Sequence, residues 1–395
     1  MNPVLLVDRV AVGGDGISRE PDGRVVFVTG ALPGERVRVE ITKRSRDYWR
    51  AAVAEVLEPS TDRREPPCPW VARGCGGCDW QHVDPTAQQL LKVDMVRDAL
   101  ARQGRIGRPQ VEPGARLPDT GYRTTVRLAV GADGVPGFRR ARSHDIVPVE
   151  ECLVAHPVIS GLLRTLRAPG ANEVILRVSE ATGEINVVVI AEHPDRMVVS
   201  GLPEHAQVGP DTHLHEMVAG QRLRVSAASF FQSSARSADL LVDAVRRAVG
   251  RVPDSWVDLY AGVGLFAATL WPDTPVTAVE VAPSSCDDAR ANLSARAHGA
   301  PWTVEQRDVA EWEPIATDVV VADPSRSGLD RIGADRVAAT GAPQVVLVSC
   351  DIGALGRDAR LLVERGYRHV RSEVLDLFPN TVHAEVVTAF ERSDA

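Results

Sequence analysis

From about residue 235 the chain repeats one pattern: a short apolar run, a polar or glycine-containing break, then a longer stretch with apolar residues at helical spacing. The runs Trp256–Leu259, Val276–Val279, Val319–Ala322 and Val345–Val348 read as strands. Helices are predicted over about Ala235 to Val249, from Leu265, and over about Ser284 to His298. Strands and helices in alternation predict a mostly parallel, doubly wound α/β sheet with helices on both faces. The first 58 residues differ, with short alternating runs such as Arg24–Val28 and Arg36–Ile41 between the turn signals Gly13–Gly16, Pro21–Gly23 and Leu32–Gly34. That spacing predicts a small barrel of OB type. Between them, a helix is expected from Gln88 to about Arg102, with Leu90, Leu91, Val93, Met95, Val96, Ala99 and Leu100 as its apolar positions. Strand-like runs follow over Tyr122–Val149, Val174–Val178 and Ile185–Ile190, giving a β-rich centre. The expected domains are residues 1–58, 59–225 and 226–395.

At 395 residues, with 44% hydrophobic and 25% charged residues, the chain has the composition of a globular protein with several cores. No apolar run approaches the ~20 residues that span a bilayer, so no membrane association and a cytoplasmic setting are expected. Six cysteines then need a reason other than structural disulfides. Net charge is −8, yet Arg36 to Arg50 holds six Lys/Arg against two acids. With Tyr48 and Trp49 beside it, this strip is either a grip for unpaired bases or a solvated strand face with aromatic core residues.

Two stretches carry candidate chemistry. Cys68, Cys75 and Cys78 are spaced C-x6-C-x2-C, with Gly76-Gly77 between the last two and Cys152 further along. Four thiolates suit either a [4Fe–4S] cluster or zinc. The other stretch is Ser255–Phe266, a strand entering a Gly-containing turn through Tyr260, Gly262 and Gly264. Glu280, about twenty positions on, is placed to accept hydrogen bonds from a ribose, so an adenosine-containing ligand is expected. Asp323, in Asp323-Pro324-Ser325-Arg326-Ser327-Gly328, and Cys350, in Ser349-Cys350-Asp351, close two further strands at the same predicted edge. Asp308 is a candidate for an adenine amino group, and Cys350 for a reactive thiol. Cys286, on a helix, reads as inert core, and His213 and His215 as loop histidines.

Together these residues resemble the TrmA/RumA-type RNA (uracil-5-)-methyltransferase family, in its subgroup with an N-terminal TRAM domain and an iron–sulfur cluster. The similarity runs through Ala31–Glu35, Cys75–His82, Phe231-Gln232, Asp258–Gly264, Asp323–Gly328, Val348–Cys350 and Phe378–Glu385. It implies a Rossmann-like catalytic domain that takes S-adenosylmethionine, held by Gln232, Tyr260, Gly262, Glu280, Asp308 and Asp323, with Arg326 supporting the Asp323 loop. It implies a [4Fe–4S] cluster on Cys68, Cys75, Cys78 and Cys152. It also implies Cys350 as nucleophile, Glu385 as general base and RNA as partner, with ribosomal RNA of the large subunit preferred to the T-loop of transfer RNA. A monomer is the default expectation. The cysteines lie far in sequence from the methyl-transfer motifs, so a structural role is expected for the cluster.

One departure stands out. The family's motif continues from the cysteine with Asn-Pro or Asp-Pro, whereas Asp351-Ile352 follows Cys350 here; the missing proline predicts a looser turn. A cytosine-5-methyltransferase would carry a second cysteine where Arg326 stands, and an amino-methyltransferase an aromatic residue after its Asp-Pro-Pro. A non-catalytic RNA-binding descendant is the rival of another class, opposed by the presence of both Cys350 and Glu385.

Overall fold

The computed structural model describes residues 2–20, 22–193, 197–296 and 299–393. Pro21 and His298, which fall in an expected turn and at the end of an expected helix, lie outside them. An eight-stranded sheet positions the chemistry. Its order is Trp302–Gln306, Val276–Glu280, Trp256–Leu259, Val319–Ala322, Gln344–Ser349, Glu385–Arg392, Tyr367–Asp376 and Val111–Arg116. The first five strands pair in parallel, so their carboxyl ends share one edge. Glu385–Arg392 runs antiparallel to both of its neighbours and therefore begins where the others finish.

The central strands are buried on both faces, which is why they read as near-continuous apolar runs. Val319, Val321, Val346 and Val348 pack into one core, together with Leu241 and Val245 of the helix Ala235–Val249. Val320, Ala322, Val345 and Leu347 pack into the opposite core. The helix Ala235–Val249 starts at a reciprocal capping box between Ser234 and Ser237 and stops at Gly250, whose φ is 72°. The helix expected over Ser284–His298 spans Pro283–Ser294.

The expected division at residues 59–225 is not the observed one. The helix Pro85–Arg102 starts before Gln88, because Asp84 caps it by accepting from the Thr86 N–H at 2.8 Å and Pro85 suits its first turn. Leu90, expected on its apolar face, is 56% exposed, while Gln88 and Lys92 are buried beside Val93, Met95 and Leu100. The following strand, Val111–Arg116, joins the eight-stranded sheet beside Tyr367–Asp376. Residues 85–116 thus belong with the eight-stranded sheet. The remaining centre forms its own sheet, ordered Ile146–Pro148, Pro136–Arg139, Thr125–Val130, Glu173–Val178, Ile185–Ile190 and Gln207–Val208.

At the N-terminus a six-stranded sheet runs from Val4 to Glu58 around Leu5, Val26, Val28, Val37 and Val39. The basic strip is partly neutralised within it: Arg36 pairs with Glu58 at 2.7 Å, Arg38 with Glu55 at 3.0 Å and Arg50 with Asp15 at 2.9 Å. Lys43, Arg44 and Arg46 have no carboxylate partner among the described residues. The guanidinium groups of Arg24 and Arg44 each lie over the Trp49 ring, 4.7 Å from its centroid, where a base would otherwise stack.

Lys92 and Asp376 form an ion pair of 2.6 Å with both side chains fully buried, and Lys92 also donates to the Phe378 carbonyl at 3.2 Å. Removing Lys92 leaves the buried Asp376 carboxylate with only Arg116, 3.8 Å away, at a cost of about 3–5 kcal/mol. Lys92→Met is therefore expected to lower the urea midpoint sharply, and Lys92→Met with Asp376→Leu to recover most of the loss. Equal midpoints for the single and double variants would contradict this account.

Candidate active site

The strand Trp256–Leu259 ends in three left-handed residues, Tyr260 (φ 62°), Gly262 (φ 56°) and Gly264 (φ 77°), before the short helix Leu265–Thr269. A Cβ on Gly264 would lie 3.1 Å from that of Ala289, so glycine lets the two helices approach. A Cβ on Gly262 would meet no atom within 4 Å, which leaves the turn open on that side. Glu280 is locked across it: one carboxylate oxygen accepts from Gly262 N–H at 2.8 Å, the other from Val281 and Ala282 N–H at 2.8 Å each. Beneath the turn, buried Asp258 accepts from Ala267 N–H at 2.9 Å, and burial raises its pKa well above the usual carboxylate range. Tyr260 turns its ring toward the helix Asp330–Ala339, with its hydroxyl 2.8 Å from where a Cβ on Gly333 would sit. Asp308 is exposed and accepts from Ala310 N–H at 2.8 Å.

Gln232 arrives from another direction. The loop before it is pinned by Arg177, which donates to the Ser226 and Ser229 carbonyls at 3.1 and 3.0 Å. Buried Asp288 accepts from Ser226 N–H at 2.8 Å and from the Ser229 hydroxyl at 2.7 Å. Gln232 is buried, yet its side-chain amide has no hydrogen-bond partner among the described residues. Phe230, two positions earlier, is 72% exposed. The sequence analysis does not single it out, and its exposure is visible only in the fold.

Asp323, Cys350 and Glu385 converge at the strand ends. Asp323 follows Ala322 and donates its N–H to the Leu259 carbonyl at 3.2 Å. Pairing of Ser349 with Val386 brings Cys350 beside Glu385. Burial pushes the Cys350 thiol up to about 12, with Glu385 and Asp323 adding to the rise and Arg326 opposing it. Burial, with Asp323 nearby, lifts Glu385 well above its usual range, and Asp323 itself is raised to about 7. The turn after the thiol is not loose. Asp351 caps the helix Ile352–Val363 by accepting from Ala354 N–H at 2.7 Å, and its carbonyl accepts from Leu355 N–H at 2.9 Å. Capping thus does what a proline would have done by restricting φ.

Cys68, Cys75, Cys78 and Cys152 line one cavity of about 230 Å3 with Arg123 and Phe138. Burial raises Cys75 and Cys152, and Cys78 to about 12, with neighbouring thiols of the set adding to each rise. Among the described residues no group of three or more His, Cys, Asp or Glu is arranged to hold a metal ion. Distance in sequence is misleading here. Asp79 accepts from Val382 N–H at 3.0 Å, and Trp80 N–H donates to the Asn380 carbonyl at 3.0 Å, so the cysteine loop touches the segment that leads into Glu385. Cys286 is buried on its helix, with its thiol on the Glu280 carbonyl at 3.3 Å. His213 and His215 lie on the strand His213–Val218 instead of a loop, and His215 contacts Glu184 at 3.3 Å.

An α/β methyltransferase sheet with a six-stranded N-terminal sheet and a cysteine-lined central cavity defines the class. The TRAM domain model matches residues 5–54. An uncharacterized RNA methyltransferase of Streptomyces avermitilis is 34% identical, over 97% of this chain and 96% of its own. The 23S rRNA (uracil(1939)-C(5))-methyltransferase RlmD of Chromohalobacter salexigens is 32% identical, over 98% of this chain and 89% of its own. In fold the chain is similar to the tRNA (uracil-54, C5)-methyltransferase of Pyrococcus abyssi, solved with S-adenosyl-L-homocysteine: TM-score 0.73, 22% identity, covering 98% and 99% of the two chains. The chain belongs to the TrmA/RumA-type RNA methyltransferase family and is an enzyme of that class. No helix among the described residues is long and apolar enough to cross a membrane.

The raised carboxyls make a signed prediction. A carboxyl whose folded pKa exceeds its unfolded value near 4 binds more protons when folded, so it lowers stability as pH rises through that window. Asp323 sets the window at roughly pH 4 to 7. Asp323→Asn should raise the melting temperature at pH 8, and the gain should vanish by about pH 4. A pH-independent difference in melting curves would show that the acid is not destabilised by the site.

Proposed function

We propose that the chain methylates carbon five of a uridine in RNA, with S-adenosylmethionine as methyl donor. The observation that supports this most is the side-by-side arrival of Cys350 and Glu385, with Asp323 next to them, at the edge where the Gly262 turn and Glu280 face outward. Glu280 takes the ribose hydroxyls, Gln232 offers its free amide to the donor, Asp308 meets the adenine amino group and Tyr260 shapes the turn. Asp323 orients the pyrimidine or the donor, with Arg326 supporting its loop, and exposed Phe230 is available to stack on a base drawn out of its helix.

Carbon five of uracil is too weak a nucleophile to take a methyl group unaided. The Cys350 thiol gives its proton to solvent, and the sulfur bonds to carbon six; electrons move through the ring to an enolate. Carbon five attacks the donor methyl, and S-adenosylhomocysteine leaves. Glu385, once ionised, removes the carbon-five proton, the ring double bond re-forms and the carbon–sulfur bond breaks. The thiol's high resting pKa means that its proton must leave as the base docks, and Arg326 is the cation that favours the thiolate.

The 23S ribosomal RNA is the proposed substrate, on the specificity named for the Chromohalobacter relative. The TRAM segment, through Lys43, Arg44 and Arg46, grips surrounding phosphates, and the protein works as a cytoplasmic monomer. For the four cysteines we propose a [4Fe–4S] cluster. A single tetrahedral zinc at ~2.3 Å would draw its sulfurs to within about 4 Å of one another. A cluster instead spreads its thiolates over separate irons, and the one cavity lined by all four cysteines is what supports it here. Such a cluster would supply cross-linking and negative charge there, and Arg123 lines the same wall.

Cys350→Ala is expected to abolish methyl transfer, and Glu385→Gln to leave a covalent RNA adduct on a denaturing gel. Nucleoside mass spectrometry of ribosomal and transfer RNA from a deletion strain should show one 5-methyluridine lost from 23S rRNA. Loss from the transfer RNA T-loop would move the substrate, and loss of 5-methylcytidine would overturn the reaction. For the cluster, Cys78→Ser should remove the brown colour and bound iron of protein purified without oxygen. A colourless, iron-free wild type would exclude it.

A further inference from the structure

We propose that Asn380 is a positioning residue for the general base, locking the loop that sets where Glu385 enters the sheet. This rests on the catalytic reading of Cys350 and Glu385 above. Asn380 lies in the connection between Tyr367–Asp376 and Glu385–Arg392, fully buried, with φ 67°. Asparagine is among the few residues that enter this left-handed region, and local bonds must hold it there. Its N–H donates to Gln88 Oε1 at 2.7 Å, and its carbonyl accepts from Trp80 N–H at 3.0 Å. Its side-chain nitrogen donates to the Asp119 carbonyl at 2.8 Å, and its side-chain oxygen accepts from Arg64 Nη2 at 2.9 Å. Four separate segments thus meet on one side chain and its peptide groups.

Glu385 is the first residue of its strand. On its Cys350 side the ladder ends at the pair Ser349–Val386, so the pairing there stops one residue short of the carboxylate. The chain leading into it is held by hydrogen bonds: Thr381 Oγ1 donates to the Phe378 carbonyl at 2.8 Å, and Val382 N–H donates to Asp79 at 3.0 Å. Side chains alternate across a strand, so a slip of one residue at this entry would turn Glu385 away from the thiol. Gln88 serves the same lock. It is fully buried on the helix face that also carries Lys92, and its amide also donates to the Trp80 and Val83 carbonyls at 3.2 and 3.0 Å.

The test exploits the order of the chemistry. Glu385 acts only after the carbon–sulfur bond has formed, so a misplaced base accumulates the adduct, whereas general loss of structure lowers adduct and product together. Asn380→Gly keeps the left-handed backbone while deleting the side-chain bonds. The substrate is the transcript, of 23S ribosomal RNA or transfer RNA, that the wild-type chain methylates, and Glu385→Gln is run alongside. Asn380→Gly should cut kcat by about 10- to 100-fold, leave KM for S-adenosylmethionine within about twofold of wild type, and accumulate adduct. If it does not purify folded, Gln88→Leu is read by the same outcomes. Adduct with Glu385→Gln but none with Asn380→Gly overturns the positioning role alone. Absence of adduct with Glu385→Gln overturns the catalytic reading and this inference with it.

Discussion

One strand running against its neighbours brings the candidate nucleophile and base together. In a parallel sheet every strand ends at the same edge, and residues at strand starts lie a full strand length away. Glu385–Arg392 reverses that geometry, so its first residue meets the end of Gln344–Ser349, where Cys350 sits. Half-buried Cys350 and Asp323 and buried Glu385 then share one corner: burial raises the proton affinity of all three, Asp323 adds to the rise of Glu385, and both carboxyls add to that of Cys350.

Such a corner is costly to keep, since acidic groups drawn out of water destabilise the fold when ionised. The surroundings compensate with local order. Asp351 caps the helix after the thiol, Glu280 is bonded through both oxygens, and Arg177 with Asp288 clamps the approach to Gln232. Each of these side chains bonds backbone groups, so rigidity comes from satisfying amides and carbonyls that would otherwise face an apolar interior.

The cysteine-lined cavity and the catalytic edge are parts of one connected structure. Asp79 and Trp80 directly follow Cys78 and bond the segment before Glu385, while Lys92 reaches the Phe378 carbonyl from the helix Pro85–Arg102. The guanidinium of Arg123, which lines the cysteine cavity, lies 5.8 Å from the centroid of the Phe378 ring. A centre bound by those cysteines would therefore brace the base-bearing loop through two or three residues of chain.

Local pattern was enough for the strand–turn–helix at Trp256–Leu265, the carboxylate at Glu280 and the apolar central strands, because each rests on periodicity or glycine within a few residues. It was also enough to single out Asp323 and Cys350 as strand-end groups. It misassigned Leu90, because helical spacing does not say which face meets the core, and it treated residues 85–116 as central because an edge strand carries no mark of its partner. The family resemblance supplied Glu385, but only the fold explains its position, since strand direction depends on pairing across the sheet. The same holds for Asn380, whose partners Arg64, Trp80, Gln88 and Asp119 are hundreds of residues away. Residue type and spacing determined which groups could do chemistry; long-range pairing decided which of them meet, because contact between distant segments is a property of packing and leaves no periodic trace along the chain.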